Sequence, residues 1–307
     1  MKKNKKLKIG WVGLGNIGSV MADSLFKAGY QLSVHDIRPA AGEKLVDAGA
    51  HWARTPREVA ERSDTIVTSL PGPPQVKAVM EGEQGVLSGL HAGCTWIEMS
   101  TTDAQEVQRL GAVAEQKGAS VLEAPVTGGL TLAKAGGITI LVGGKKDVFE
   151  AQLPVLQVIG GKILHMGPLG SASVVKVITN LLALGHLIMA GEAFMLGKQA
   201  GIDATALLEG IKASSGNSYT IETEMPLVYN GSYDVGWTMA LAIKDLGLTM
   251  QLARKHSVPL EIGALVEQIF VRAKVQYGED ANSTQAVKLL EDAMNVYLRA
   301  PGYEDFR

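Results

Sequence analysis

Short apolar runs, many of them β-branched, alternate with amphipathic stretches from Lys8 to about Gly167. The strand candidates are KIGWVGL, QLSVHD, DTIVTSL, CTWIEMS, SVLEAPV and ITILVGG. The helices between them open on recognisable signals, Thr55-Pro56 before REVAER and Thr102 before DAQEVQRLGAVAEQKG. Strands alternating with helices predict a mostly parallel sheet covered on both faces. After Gly170 the strand-like runs stop, and helical patterns fill 171–200, 203–214, 218–230, 239–255, 259–276 and 281–298. The pattern therefore predicts an α/β domain over 1–168 and an all-helical domain over 169–307, joined by the long helix that starts near Ser171. The closing PGYEDFR is polar and proline-led, and reads as a loose tail.

That long helix breaks its own pattern. SASVVKVITNLLALG is apolar almost throughout, yet Lys176 and Asn180 sit in its middle, four residues apart. Residues i and i+4 stack one turn apart, so the ammonium and the amide share a face, with Thr179 beside them. Burying an unpaired charge costs several kcal/mol. Two readings remain at this point: Lys176 snorkels to the surface or pairs with a carboxylate, or the charge serves chemistry.

Composition narrows the class. The formal net charge of 307 residues is -2, which leaves no electrostatic footprint for nucleic acid or an anionic membrane. The longest uncharged apolar stretch, Val177 to Gly191, is interrupted by Asn180 and His186. The basic start MKKNKKLK superficially resembles a signal peptide, but the IGWVGLGNIG that follows is too rich in glycine for a signal core. A single cysteine, Cys94, forms no internal disulfide, and no zinc-ligand set is present. A cytoplasmic protein without a metal is expected.

Gly13-Leu14-Gly15-Asn16-Ile17-Gly18 follows the strand KIGWV and opens the helical stretch IGSVMADSLFKAG. In that context Gly13 permits a tight turn, Gly15 lets backbone approach a pyrophosphate, and Gly18 lets helix and strand pack closely. The helix start at Asn16 and Ile17 offers N–H groups to the phosphates. Eighteen residues beyond Gly18 the second strand ends at Asp36, where a carboxylate accepts from ribose hydroxyls and repels a 2'-phosphate. Asp36 thus favours NAD, while Arg38, two residues on, keeps NADP possible. The fold expected is Rossmann-type. Its ligands lie outside the carboxyl ends of the strands, where Leu70-Pro71 and Ser100-Thr101 fall.

Glu123-Ala124-Pro125-Val126-Thr127-Gly128-Gly129 ends another strand. Its two glycines expose backbone N–H groups and Thr127 adds a hydroxyl, a nest suited to a carboxylate or equally a simple hairpin-like connection. The succession GLGNIG, EAPVTGG with AGGITILVGG, GSASVVKVITN and LAIKDLGLTM, from about Lys8 to about Leu298, resembles the β-hydroxyacid dehydrogenases. That family includes 3-hydroxyisobutyrate dehydrogenase and tartronate semialdehyde reductase. The resemblance implies that Lys176 is the catalytic lysine and Asn180 the amide that holds the substrate. It makes Thr127, Gly128 and Gly129 the carboxylate-binding loop, Thr101 a cofactor contact, and Lys244 a lysine at the nicotinamide end. The family usually carries Asp-Ala-Pro-Val-Ser-Gly-Gly at the loop; here Glu123 and Thr127 depart from it.

The implied reaction is NAD(P)-linked oxidation of a small 3-hydroxy acid, with Lys176 as general base in one direction and general acid in the other. An apolar helix favours the neutral amine that accepts the proton. Two rivals stand beside it. One is an imine reductase of the same fold, which typically prefers NADPH and lacks the lysine. The other is a non-catalytic dinucleotide-binding module. The resemblance also implies a homodimer or homotetramer paired through the helical domain.

Overall fold

The computed structural model describes residues 7–306, so the basic stretch at 1–6 lies outside the described residues. Two compact units result, Met1–Lys176 and Val177–Arg307. Strands are β1 (Lys8–Val12), β2 (Gln31–His35), β3 (His51–Trp52), β4 (Thr65–Thr68), β5 (Thr95–Glu98), β6 (Ser120–Glu123), β7 (Val126–Thr127), β8 (Thr139–Gly144) and β9 (Lys162–Gly167). In the same unit the helices are α1 (Asn16–Lys27), α2 (Glu43–Asp47), α3 (Pro56–Glu61), α4 (Pro73–Glu81), α5 (Val86–Gly89), α6 (Ala104–Gln116), α7 (Gly129–Lys134) and α8 (Lys146–Ile159). Helix α9 (Ser171–Gln199) begins there and runs on into the second unit, which adds α10 (Ala204–Lys212), α11 (Tyr219–Tyr229), α12 (Met239–Lys255), α13 (Glu261–Tyr277) and α14 (Lys288–Met294).

The nine described strands form one sheet in the order β3-β2-β1-β4-β5-β6-β8-β7, with β9 beside β8. From β3 to β6 all pairs are parallel, and β8 then runs antiparallel to β6 and β7 but parallel to β9. The period of two along the strands splits their side chains between two cores. Ile9, Trp11, Val67 and Ile97 join one buried cluster, while Val12, Ile66 and Trp96 join another. All six strand candidates form. Strands β3, β7 and β9 are not among the expected ones: the first two are only two residues long, and in β9 charged and polar positions interrupt KILHMG.

Helix starts follow capping chemistry. Thr55 accepts from the Glu58 N–H as expected, whereas α6 is capped by Asp103, one residue beyond the expected Thr102. In the second unit Leu184, Leu187, Phe194, Met225, Tyr229 and Phe270 build the core. Two expectations are corrected there. The helix expected over 281–298 is a 3-10 turn at Ser283–Val287 followed by α14, which ends where Asn295 turns left-handed at φ +52°. The tail is not loose, since the Tyr303 ring packs 5.3 Å from the Tyr229 ring and Phe306 O accepts from Asn230.

Helix α9 is long and apolar enough to cross a membrane by length and composition. Its inner face instead joins the protein core through Leu184, Leu187 and Phe194.

Candidate functional site

The turn between β1 and α1 sits where strand order reverses, at the carboxyl ends of β1 and β4. Gly13 has φ +99°, and a Cβ there would lie 2.1 Å from Ser69 O; at Gly18 it would lie 2.3 Å from Gly13 O. At Gly15 a Cβ would meet nothing within 4 Å. Two of the glycines are thus required by the protein's own packing, and the third leaves an open approach. Gly15 also caps α1 without a side-chain hydrogen bond, and the first turn carries no acid. An uncovered helix start without negative charge fits a pyrophosphate.

Asp36, buried just beyond β2, accepts from the Leu14 N–H at 2.7 Å and from the Arg38 N–H at 2.8 Å. It therefore fastens the glycine turn to the end of β2, a second duty that spacing alone does not reveal. Each carboxylate oxygen keeps lone-pair capacity for a ribose hydroxyl. The exposed Arg38 guanidinium lies 3.6 Å from Asp36 Oδ1, so it already faces a carboxylate.

Next along the sheet, the Leu70 N–H donates to Ser100 Oγ at 2.8 Å, and the Ser100 N–H donates to Glu98 Oε1 at 2.6 Å. Thr68 donates to Glu98 Oε2 at 2.7 Å and accepts from Trp96 Nε1 at 2.9 Å. Glu98 is wholly buried, and burial pushes its carboxyl up to about 7 against these hydrogen bonds, with the Glu123 carboxyl adding to the rise. The loops bearing Leu70 and Thr101 thus rest on a buried acid. Its signal was the lone charge in the apolar run CTWIEMS.

Glu123 and Glu98 are register partners on neighbouring parallel strands. Glu123 is also fully buried, and burial raises its carboxyl while hydrogen bonds from Ser173, Ala172 and Gly170 oppose the rise. Those bonds come from the start of α9. Beyond Glu123 the chain forms β7, which pairs Thr127 with Thr139, and then turns through Gly128 at φ +117° and Gly129 at φ +77° into α7. At Gly129 a Cβ would meet nothing within 4 Å, so that backbone is open to approach. The loop is a short strand running into a helical turn rather than a simple hairpin.

Lys176 and Asn180 are both buried, one turn apart on α9. Snorkelling to solvent is thereby removed. The Asn180 side-chain N–H donates to Asp245 Oδ2 at 2.7 Å, and Lys244 Nζ lies 2.8 Å from Asp245 Oδ1. Thr249 donates to Val177 O at 3.1 Å and to Asp245 O at 3.0 Å, which ties α12 to α9 around the amide. Asp245 is the buried member of KDL, and in the sequence only its place beside Lys244 marks it. Trp237 packs against the helical core, and Tyr219 is largely exposed.

Comparisons with known proteins match both halves of the chain to NAD-binding families. Residues 8–167 match the family described as the NAD binding domain of 6-phosphogluconate dehydrogenase. Residues 170–290 match the one described as NAD-binding of NADP-dependent 3-hydroxyisobutyrate dehydrogenase. The chain is 39% identical to 2-(hydroxymethyl)glutarate dehydrogenase of Eubacterium barkeri, over 87% of this chain and 89% of that one. It is 34% identical to mitochondrial 3-hydroxyisobutyrate dehydrogenase of Mus musculus, over 86% and 81%. Among solved structures, Mycobacterium tuberculosis 3-hydroxyisobutyrate dehydrogenase with L-serine superposes with a TM-score of 0.85 at 27% identity, covering 93% of this chain and 99% of that one. An imine reductase from Pseudomonas sp. superposes at 0.59 with 20% identity, covering 93% and 100%, which speaks for the fold alone.

Proposed function

Because the chain belongs to the β-hydroxyacid dehydrogenase family, we propose that it oxidises a small 3-hydroxy acid to the semialdehyde or keto acid, and reverses the reaction, with NAD(P). The carrying observation is the buried pair on α9: Lys176 one turn before Asn180, whose amide is held by Asp245.

A nicotinamide dinucleotide held at the glycine turn would supply the hydride acceptor for the carbinol carbon. The chain's own residues do the rest. Thr127 and the Gly128-Gly129 backbone anchor the substrate carboxylate, and Asn180 orients the hydroxyl. The Lys176 amine takes the hydroxyl proton as the C=O bond forms, and in reverse the ammonium returns it to the forming alkoxide. Gly13, Gly15, Asn16, Ile17 and Gly18 would cradle the pyrophosphate, and Asp36 would take the ribose hydroxyls. Leu70, Pro71 and Thr101 would line the cofactor's path, and Lys244 would serve its nicotinamide end. NAD is the preferred cofactor, because Arg38 already faces Asp36.

In this reading residues 1–168 are the dinucleotide-binding domain, and 169–307 are the domain for substrate and pairing. Support for pairing comes from α9, where the exposed Ile178, Leu182, Met189 and Leu196 fall within about 40° of one another around the helix. They form one apolar stripe opposite the core face, which suits a second copy of the chain in a homodimer or homotetramer. The protein is taken to be soluble and cytoplasmic.

A panel of 3-hydroxyisobutyrate, L-serine and 2-(hydroxymethyl)glutarate with NAD+ and NADP+ in parallel tests the reading. Reduction of NAD+ by at least one acid is expected. If no hydroxy acid reduces either cofactor, the assignment fails, and a cyclic imine with NADPH tests the imine reductase alternative. The buried Lys176 argues against that alternative and against a non-catalytic module.

A further inference from the structure

The start of a helix presents N–H groups that the helix itself leaves unsatisfied. At α9 one side chain meets them. Glu123 Oε1 accepts from the Gly170 and Ala172 N–H groups, each at 2.7 Å, and Oε2 accepts from the Ser173 N–H at 3.2 Å and from the Ser173 hydroxyl. A carboxylate here also meets the positive end of the helix dipole. Glu123 closes β6, the strand that leads to Thr127, and Ser173 lies three residues before Lys176. One buried carboxylate therefore joins the strand before the loop to the helix that carries the lysine.

The cap has been given room on the opposite strand. Gly143 on β8 is the antiparallel partner of Glu123, and a Cβ there would lie 2.2 Å from Glu123 Oε1 and 2.9 Å from Cγ. Gly143 does not sit in the left-handed region, so space rather than backbone conformation calls for glycine. The longer acid at 123 and the missing side chain at 143 form a matched pair.

We propose that Glu123 is a positioning residue: by capping α9 within the space left by Gly143, it fixes where Lys176 stands relative to the Thr127–Gly129 loop. The inference rests on the assignment of Lys176 as the proton acceptor. Misplacing a reacting group by about 1 Å can cost on the order of a hundredfold in rate. Loss of the cap acts mainly on kcat, because the hydrogen bonds of Glu123 run to the start of α9 and not to the glycine turn or Asp36.

The test uses the full chain, with L-serine and 3-hydroxyisobutyrate as substrates and NADH fluorescence titration for binding. Glu123→Gln, which keeps the shape but loses an acceptor, should lower kcat about tenfold or more with NADH affinity within about twofold. Hydrogen exchange at residues 170–176 should quicken. Gly143→Ala should reproduce the kcat loss, and adding Glu123→Asp to Gly143→Ala should recover part of it by relieving the clash. Faster exchange with kcat unchanged would reduce Glu123 to a structural cap and overturn the proposal, as would a double variant no better than Gly143→Ala. If the wild type oxidises no hydroxy acid, the functional reading fails separately. Unchanged exchange at 170–176 in Glu123→Gln would then overturn the cap itself.

Discussion

The Asn180 amide donates to Asp245 Oδ2 at 2.7 Å, and both side chains are buried. An amide presents donors at one end and an acceptor at the other, so a fixed carboxylate on its nitrogen decides which way it faces. Asp245→Asn removes that preference and leaves Lys244 without its close carboxylate partner. We expect kcat/KM for the hydroxy acid to fall roughly ten- to a hundredfold, by analogy with the loss of supporting partners around other sites. Steady-state kinetics with varied acid checks this, and an unchanged kcat/KM would remove Asp245 from the site.

Lys176→Ala should abolish turnover, a loss on the order of a hundredfold to ten-thousandfold for a proton-transfer group, while NADH still binds. The two measurements are separable because the glycine turn at 13–18 does not depend on Lys176. Near-normal turnover by the variant would sink the assignment of Lys176 as the base.

Asp36→Ala takes away both the ribose acceptor and the anchor of the Leu14 N–H. KM for NAD+ should rise about tenfold or more, since a charge-assisted hydrogen bond contributes roughly 1.5–3 kcal/mol. Discrimination against NADP+ should shrink at the same time, because the repulsion of a 2'-phosphate goes with the carboxylate and Arg38 is released. Parallel titrations with the two cofactors decide it, and a variant still as selective for NAD+ would locate selectivity elsewhere.

Burial pushes Glu98 up to about 7 and Glu224, on α11, up to about 8, from an ordinary 4.5. The folded state then holds these protons more tightly than the unfolded chain. Stability from these groups is fully present below about pH 4.5 and declines as pH rises through about 7 and 8. Calorimetry should find a higher Tm at about pH 5.5 than at about pH 8.5, and Glu98→Gln and Glu224→Gln should each flatten the slope. Variants with the wild-type slope would show that other groups govern it.

Much of the fold could be read in advance because it follows from local pattern. The strands of the parallel sheet are buried apolar runs, the helices repeat their apolar positions, and GLGNIG lies between a strand and a helix as its chemistry requires. Short or interrupted strands were lost because two-residue pairing leaves no pattern; β3 and β7 exist only through their neighbours. The tail has no local pattern to show its packing, because Tyr303 and Phe306 find their partners in Tyr229 and Asn230, about 75 residues away in the chain.

The sequence alone determined the class of cofactor turn, the placing of Lys176 and Asn180 on one helical face, and the family to which those motifs point. These depend on residue type and on spacings of a few positions, which helix and strand geometry fix without further help. Tertiary structure decided what holds those residues. Glu123 reaches 47 to 50 residues along the chain to cap α9, and Asn180 finds Asp245 65 residues away. A buried carboxylate must find its donors wherever packing brings them, and no periodicity in the chain records which ones it meets.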